Sequence, residues 1–255
     1  MVVLKHYFLV AGALPFLPYM VFQGRHIRKK IPKLLPPTDI KGTTGQGSQS
    51  INLLTIGEST IAGIGVGTHQ DGITGQLAEY LAKELNLKIN WEVFAKSGLT
   101  SKGILEKLQN EPIQFSPDLI VIGTGANDAF RLKNPLVFKN NISQIIIFLK
   151  NKFPDTPIVF ANMPPIQSFP AFPKLIKLFV GKTVKRYGHI LNKLVKQFPQ
   201  VYFDNKNIRE LNWRMHGKSP NDFFSDGVHP SKLAYQLWAK RIGEYILGNN
   251  ILQNN

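Results

Sequence analysis

The sequence predicts an α/β protein, a parallel sheet with helices on both faces. From residue 51 onward short apolar runs alternate with longer amphipathic ones, the pattern of strands joined by crossover helices. One run, "SPDLIVIGTG" at 116–125, is almost continuously apolar after a Pro-Asp turn, as a strand covered on both faces must be. A length of 255 residues, 43% hydrophobic and 18% charged, suits one substantial ordered core.

In chain order, "INLLTIG" reads as the first strand. "GQLAEYLAKEL" follows with Leu77, Leu81 and Leu85 at helical spacing. "INWEVFA" is strand-like, and 116–125 is the third strand. "NPLVFKNNISQIIIFLKNKF" is helical, with Pro135 suited to a first turn. "TPIVFANMPP" is a strand ending on prolines, and Tyr187, Ile190, Leu191, Leu194 and Phe198 mark one face of the next helix. "QVYFDN" reads as a fifth strand and "SKLAYQLWAKRIGEYIL" as a closing helix. The domain therefore runs over 51–255.

The first 50 residues have another character. "YFLVAGALPFLPYMVFQG", 7–24, carries no charge and is followed by "RHIRKK". Eighteen residues fall just short of the roughly 20 a spanning helix needs, and Pro15 and Pro18 kink the run. Residues 1–32 are expected to be a membrane-associated segment, spanning or lying on the surface. The basic flank then places the domain on the cytoplasmic side. A cleaved signal peptide with an exported product is one alternative, and a helix packed on the domain is another. Residues 33–50, rich in Pro, Gly, Ser and Thr, read as a linker.

Charge and cysteine content narrow the classes. A formal +15 suits an anionic membrane or nucleic acid, but no zinc-finger or RNP-like motif supports nucleic acid. The absence of cysteine excludes disulfides, Cys-ligated zinc and thiol catalysis.

Ligands of an open parallel sheet sit beyond the carboxyl ends of its strands. Those ends carry Gly57-Glu58-Ser59, Ser97-Gly98, Gly125-Ala126-Asn127-Asp128, Asn162-Met163-Pro164-Pro165 and, before the last helix, "SDGVHPS" at 225–231. A serine needs a base to become nucleophilic, and the base needs a group that fixes its tautomer. Asp226 and His229 are close enough in sequence for the carboxylate to take the imidazole Nδ1–H. Alone, such a string is more often a capping Asp beside a surface His. Joined to Ser59 and Asn127 at sheet ends, it points to acyl transfer. Candidate oxyanion donors are the Ser59 and Gly98 backbone N–H groups and the Asn127 side-chain amide; as ordinary features, Gly98 is a turn glycine and Asn127 closes an Asx-turn.

In order and spacing these segments resemble the blocks of the SGNH (GDSL-type) hydrolase superfamily. Gly57-Glu58-Ser59 with Ala62-Gly63 is similar to the first block, Gly98 to the second, Gly125–Asp128 to the third and Asp226–Pro230 to the last. The resemblance implies a flavodoxin-like three-layer sandwich with a five-stranded parallel sheet. It implies ester hydrolysis through an acyl-enzyme, without metal or organic cofactor. One position departs: Glu58 stands where the family usually has Asp. Other motifs fail. Ile61 occupies the last Gly of G-x-S-x-G, Thr68 the third Gly of a dinucleotide loop, and Ile176 the first Gly of a P-loop.

"MPPIQSFPAFPKLIKLF", 163–179, combines prolines with large apolar residues near the expected site. It reads as an acyl-binding wall or lid, or else as a loop packed on the core. Trp213, Met215 and His216 are core or rim residues. The expected substrate is a lipid-like or short-to-medium acyl ester. A sugar-ester deacetylase is the enzyme alternative, and a catalytically silent membrane-bound binding protein is the alternative from another class.

Overall fold

The computed structural model describes residues 2–205 and 218–252; Trp213, Met215 and His216 lie outside them. Helices α1 (Val2–Ala13) and α2 (Leu17–Lys30) come first, separated by a 3-10 turn at Leu14–Phe16. The domain then runs β1 (Lys41–Thr44), β2 (Ser50–Gly57), α3 (Ile73–Leu85), β3 (Lys88–Ala95), α4 (Ser101–Asn110), β4 (Leu119–Gly123) and α5 (Ala126–Phe130). It continues with α6 (Pro135–Lys152), β5 (Ile158–Phe160), α7 (Lys174–Leu194), β6 (Val201–Phe203) and α8 (Lys232–Gly248).

The sheet order is β1-β3-β2-β4-β5-β6, parallel throughout except for β1. Its five parallel strands are those read from the sequence, in flavodoxin-like order. The sixth, β1, lies inside the segment expected as a linker and pairs antiparallel with β3, Lys41 opposite Glu92 and Thr44 opposite Ile89. That segment is tied down elsewhere too: Ile40 O accepts from Val93 N–H, and the Asp39 carboxylate accepts from His69 N–H at 2.9 and 3.0 Å.

Side-chain alternation along the strands feeds two cores. Leu53, Ile89, Trp91 and Val121 pack with α3 and α8 on one face, while Leu54, Ile56, Ile120 and Ile122 pack with α4, α6 and α7 on the other. Stops and starts are local. Asn134 caps α6 by accepting from Leu136 N–H, with Pro135 in the first turn, and α3 ends on Asn86 at φ +53°.

The N-terminal helices do not stand clear of the domain. His6, Leu9, Ala13 and Met20 are buried, the last three within the α6–α7 core, and His6 Nε2 lies 3.2 Å from Leu132 O. The stretch His6–Ile27 is long and apolar enough to cross a membrane by length and composition, with mean hydropathy 1.3. The segment 163–179 is not a detached lid. Its second part is the start of α7, and Ile166, Phe169, Ile176 and Phe179 are buried in the core.

Candidate active site

Strand order reverses at β2, which has β3 on one side and β4 on the other, so the crevice beyond its end is the natural ligand site. At Gly57 a Cβ would sit 2.3 Å from Gly123 O, so only glycine lets β2 and β4 close there. The chain then makes a single helical turn, Ala62 N–H to Glu58 O at 2.9 Å and Ile64 N–H to Ser59 O at 3.1 Å. Ser59 stands half-buried on that turn. Its backbone N–H meets no protein acceptor among the described residues.

The loop before α8 is pinned to this turn. Ser225 Oγ donates to Gly65 O at 2.7 Å, and the buried Tyr235 hydroxyl donates to Ile64 O at 2.8 Å. Within the loop, Asp226 Oδ1 accepts from Val228 N–H (2.9 Å) and His229 N–H (2.7 Å), and Oδ2 lies 2.7 Å from His229 Nδ1. An ionised carboxylate only accepts, so Nδ1 carries a proton, and in the neutral ring Nε2 is the acceptor. Burial pushes the Asp226 carboxyl up, but the bonds from the His229 ring and backbone, the His229 charge and the Val228 N–H outweigh it and hold it below the ordinary carboxylate value. The Asp226 side chain is fully buried while His229 keeps 24% exposure, so the acid is shielded and the ring reachable. Among the described residues no hydrogen bond joins Ser59 Oγ to His229.

Gly98 lies exposed beyond β3 at φ +84°, with open space where a Cβ would project. Asn127 is on α5, behind Gly125 at φ +108°. Both hydrogens of its side-chain amide are engaged, one with Glu58 Oε2 at 2.6 Å and one with Leu99 O at 2.9 Å. Spacing alone could not show that double engagement.

Two acids matter more than their sequence context suggests. Glu58, 3% exposed, accepts from Ala126 N–H at Oε1 (2.8 Å) and from Asn127 N–H at Oε2 (3.1 Å) besides the Asn127 amide. Burial drives its carboxyl up to about 7; the Asn127 and Ala126 donors oppose this and the nearby Asp128 charge adds to it. It lines a small cavity with Thr124, Asn162 and Trp238, where Thr124 Oγ1 is buried without a partner. Asp128, wholly buried, accepts from Ser101 N–H (2.6 Å) and Ser101 Oγ (2.9 Å). It thereby ties α5 to the start of α4, directly after the Gly98 loop. The sequence placed both within the blocks that carry Ser59 and Asn127, but gave no role to either.

An aromatic row borders the site. Ring centroids lie 4.9 Å apart for Phe130–Phe172, 5.7 Å for Phe172–Phe169 and 4.8 Å for Phe169–Phe224. It runs from α5 to the residue before Ser225, and Ala171 N–H donates to Gly227 O at 3.2 Å. Among the described residues there is no group of three or more His, Asp or Glu side chains that could hold a metal ion.

A flavodoxin-like sheet with these blocks at its strand ends is the architecture of the SGNH ester hydrolases. Residues 55–237 match the GDSL-like lipase/acylhydrolase family. The chain belongs to that family and is an ester hydrolase by class. Similar solved structures include a family 3 carbohydrate esterase from Clostridium thermocellum, at TM-score 0.60 and 20% identity, covering 80% of this chain and 98% of that one. An acetylxylan esterase from Geobacillus stearothermophilus has TM-score 0.59 and 18% identity, covering 80% and 97%. The lipase Lip_vut3 from a goat rumen metagenome has TM-score 0.54 and 18% identity, covering 75% and 95%. At such identities the likeness is one of fold. No curated protein matches the chain by sequence.

Proposed function

We propose that this ester hydrolase works through an acyl-enzyme on Ser59. Ser59 Oγ attacks the ester carbonyl while His229 Nε2 takes its proton, and Asp226 orients the ring and stabilises the imidazolium. The carbonyl carbon becomes tetrahedral and its oxygen negative. The Ser59 and Gly98 N–H groups and the Asn127 amide receive that charge. For this Asn127 exchanges its bond to Leu99 O for one to the oxyanion, while Glu58 holds the other hydrogen and so the plane of the amide. Collapse expels the alcohol, which takes the proton from His229. Water activated by His229 then releases the acid.

The observation that carries this reading is the buried Asp226 carboxylate 2.7 Å from His229 Nδ1, on a loop fastened to the Ser59 turn. The aromatic row favours an apolar acyl group, hence a lipid-like or short-to-medium acyl ester, with the N-terminal segment holding the enzyme at a membrane, domain on the cytoplasmic side. The test is labelling by a fluorophosphonate probe beside S59A and H229A, followed by p-nitrophenyl esters of increasing chain length. Labelling should be confined to chains with Ser59 and turnover lost in both variants. A sharp optimum at acetate would instead mark a deacetylase. No labelling of folded protein would leave a silent binding protein.

A further inference from the structure

Most of the large apolar side chains exposed on the surface lie on α1, α2 and the turn between them, or on α6 and α7, against which α1 packs. On α1, α2 and the turn between them Tyr7, Phe8, Phe16, Tyr19 and Phe22 are 45–70% exposed. At about 200 Å² per aromatic side chain these five leave roughly 600 Å² of apolar surface in water, the top of the range for a monomer. The patch continues onto what α1 packs against. The Tyr7 hydroxyl meets Asn134 Nδ2 at 3.0 Å, beside the exposed Leu136 and Val137 of α6. The Phe16 ring lies 6.3 Å from that of Phe179, next to the exposed Leu178 of α7. Phe130, exposed at the end of α5 and part of the aromatic row, stands two residues before Leu132, whose carbonyl lies 3.2 Å from His6 Nε2 on α1.

Its charge surround has one sign. Residues 1–38 hold six Lys and Arg and no Asp or Glu. On α7 the exposed positions Lys174, Leu178, Lys182 and Lys185 recur at helical spacing, an apolar residue among lysines. Apolar side chains ringed by lysines whose stems can lie flat suit the boundary between headgroups and acyl chains. A spanning helix does not fit as well. The uncharged run is only 18 residues against the roughly 20 a spanning helix needs, and it already commits Leu9, Ala13 and Met20 to the protein core.

We infer that α1 and α2, docked on α6 and α7, form a platform that lies on an anionic lipid surface without crossing it and turns the Phe130 side of the site toward that surface. The platform's value for catalysis rests on the acyl-enzyme reading above; its binding to lipid does not.

The experiment takes the full chain with sedimenting vesicles of phosphatidylcholine alone and of phosphatidylcholine with 30% phosphatidylglycerol, at low and high salt. Binding should favour the anionic vesicles and weaken with salt. It should fall tenfold or more in the triple variant F8S/Y19S/F22S and at low salt in K174E/K182E/K185E, while hydrolysis of soluble p-nitrophenyl acetate is unchanged. S59A should bind like wild type while losing turnover; wild-type protein that binds the vesicles but neither labels nor hydrolyses any ester would sink the acyl-enzyme reading alone. Absence of vesicle binding by an active enzyme, or full binding by the triple variant, would overturn the platform. Because the chain has no cysteine, F8C, L14C and F22C can each carry a single fluorophore. All three should be quenched by shallow brominated lipids and by iodide added outside. Deep quenching at L14C with F8C shielded from iodide would mean a spanning helix and also overturn the proposal.

Discussion

Glu58 makes the fold's stability depend on pH in an unusual direction. Its carboxyl rises from an ordinary value near 4.5 to about 7 in the folded protein, so between those two values the native state holds a proton that the unfolded chain has released. That contribution is fully present below about pH 4.5 and is lost as pH rises through about 7. At about 1.4 kcal/mol per pH unit the gap amounts to about 3 kcal/mol. E58Q supplies the reference. Its amide opposes the Ala126 N–H and weakens the fold, but that penalty does not titrate. Urea unfolding of both proteins at pH 4.5, 5.5, 6.5 and 7.5 should show the wild-type advantage shrinking by about 3 kcal/mol across the series. Subtraction removes every other titrating group common to both. A flat difference would refute the argument. A difference growing with pH would mean that the three N–H donors outweigh burial and keep Glu58 ionised throughout.

Three further outcomes follow from the site. D226N keeps an oxygen for the Val228 and His229 N–H groups but turns an amide donor toward Nδ1, moving the ring proton to Nε2; kcat for p-nitrophenyl acetate should fall about 10³–10⁴-fold with little change in KM. N127A removes one of the proposed oxyanion donors and should lower kcat about 10²–10³-fold, again with KM nearly constant. G98A meets no steric obstacle but forces a Cβ residue to φ +84°, which should cost about 1–2 kcal/mol in urea unfolding.

The parallel strands were legible because each is a short apolar run bounded by turn residues, and the candidate site because its residues sit in short blocks at strand ends. What stayed hidden depends on neighbours distant in sequence. Strand β1, Lys41-Gly42-Thr43-Thr44, has no apolar alternation; β3 makes it a strand, through the Lys41–Glu92 ion pair at 2.9 Å and the Trp91 ring lying where a Gly42 side chain would stand. The composition of residues 7–24 gave apolarity but not the face that turns inward, which the burial of Leu9, Ala13 and Met20 reveals. For 163–179, the burial of Phe169, Ile176 and Phe179 shows the segment packed on the core. Glu58 looked like a departure at a bystander position, yet it is the acceptor on which the start of α5 is hung.

Asp226 and His229 share one tight loop, and their mutual geometry is settled within four residues by that loop's own backbone donors. The rest of the fold sets how this loop stands to the Ser59 turn, through the Ser225–Gly65 and Tyr235–Ile64 bonds, and to the 163–179 segment through the Ala171–Gly227 bond. Such a division makes the proposed acid–base unit self-contained. An engineer could then retune the spacing from two hydroxyl groups, those of Ser225 and Tyr235, outside the unit itself.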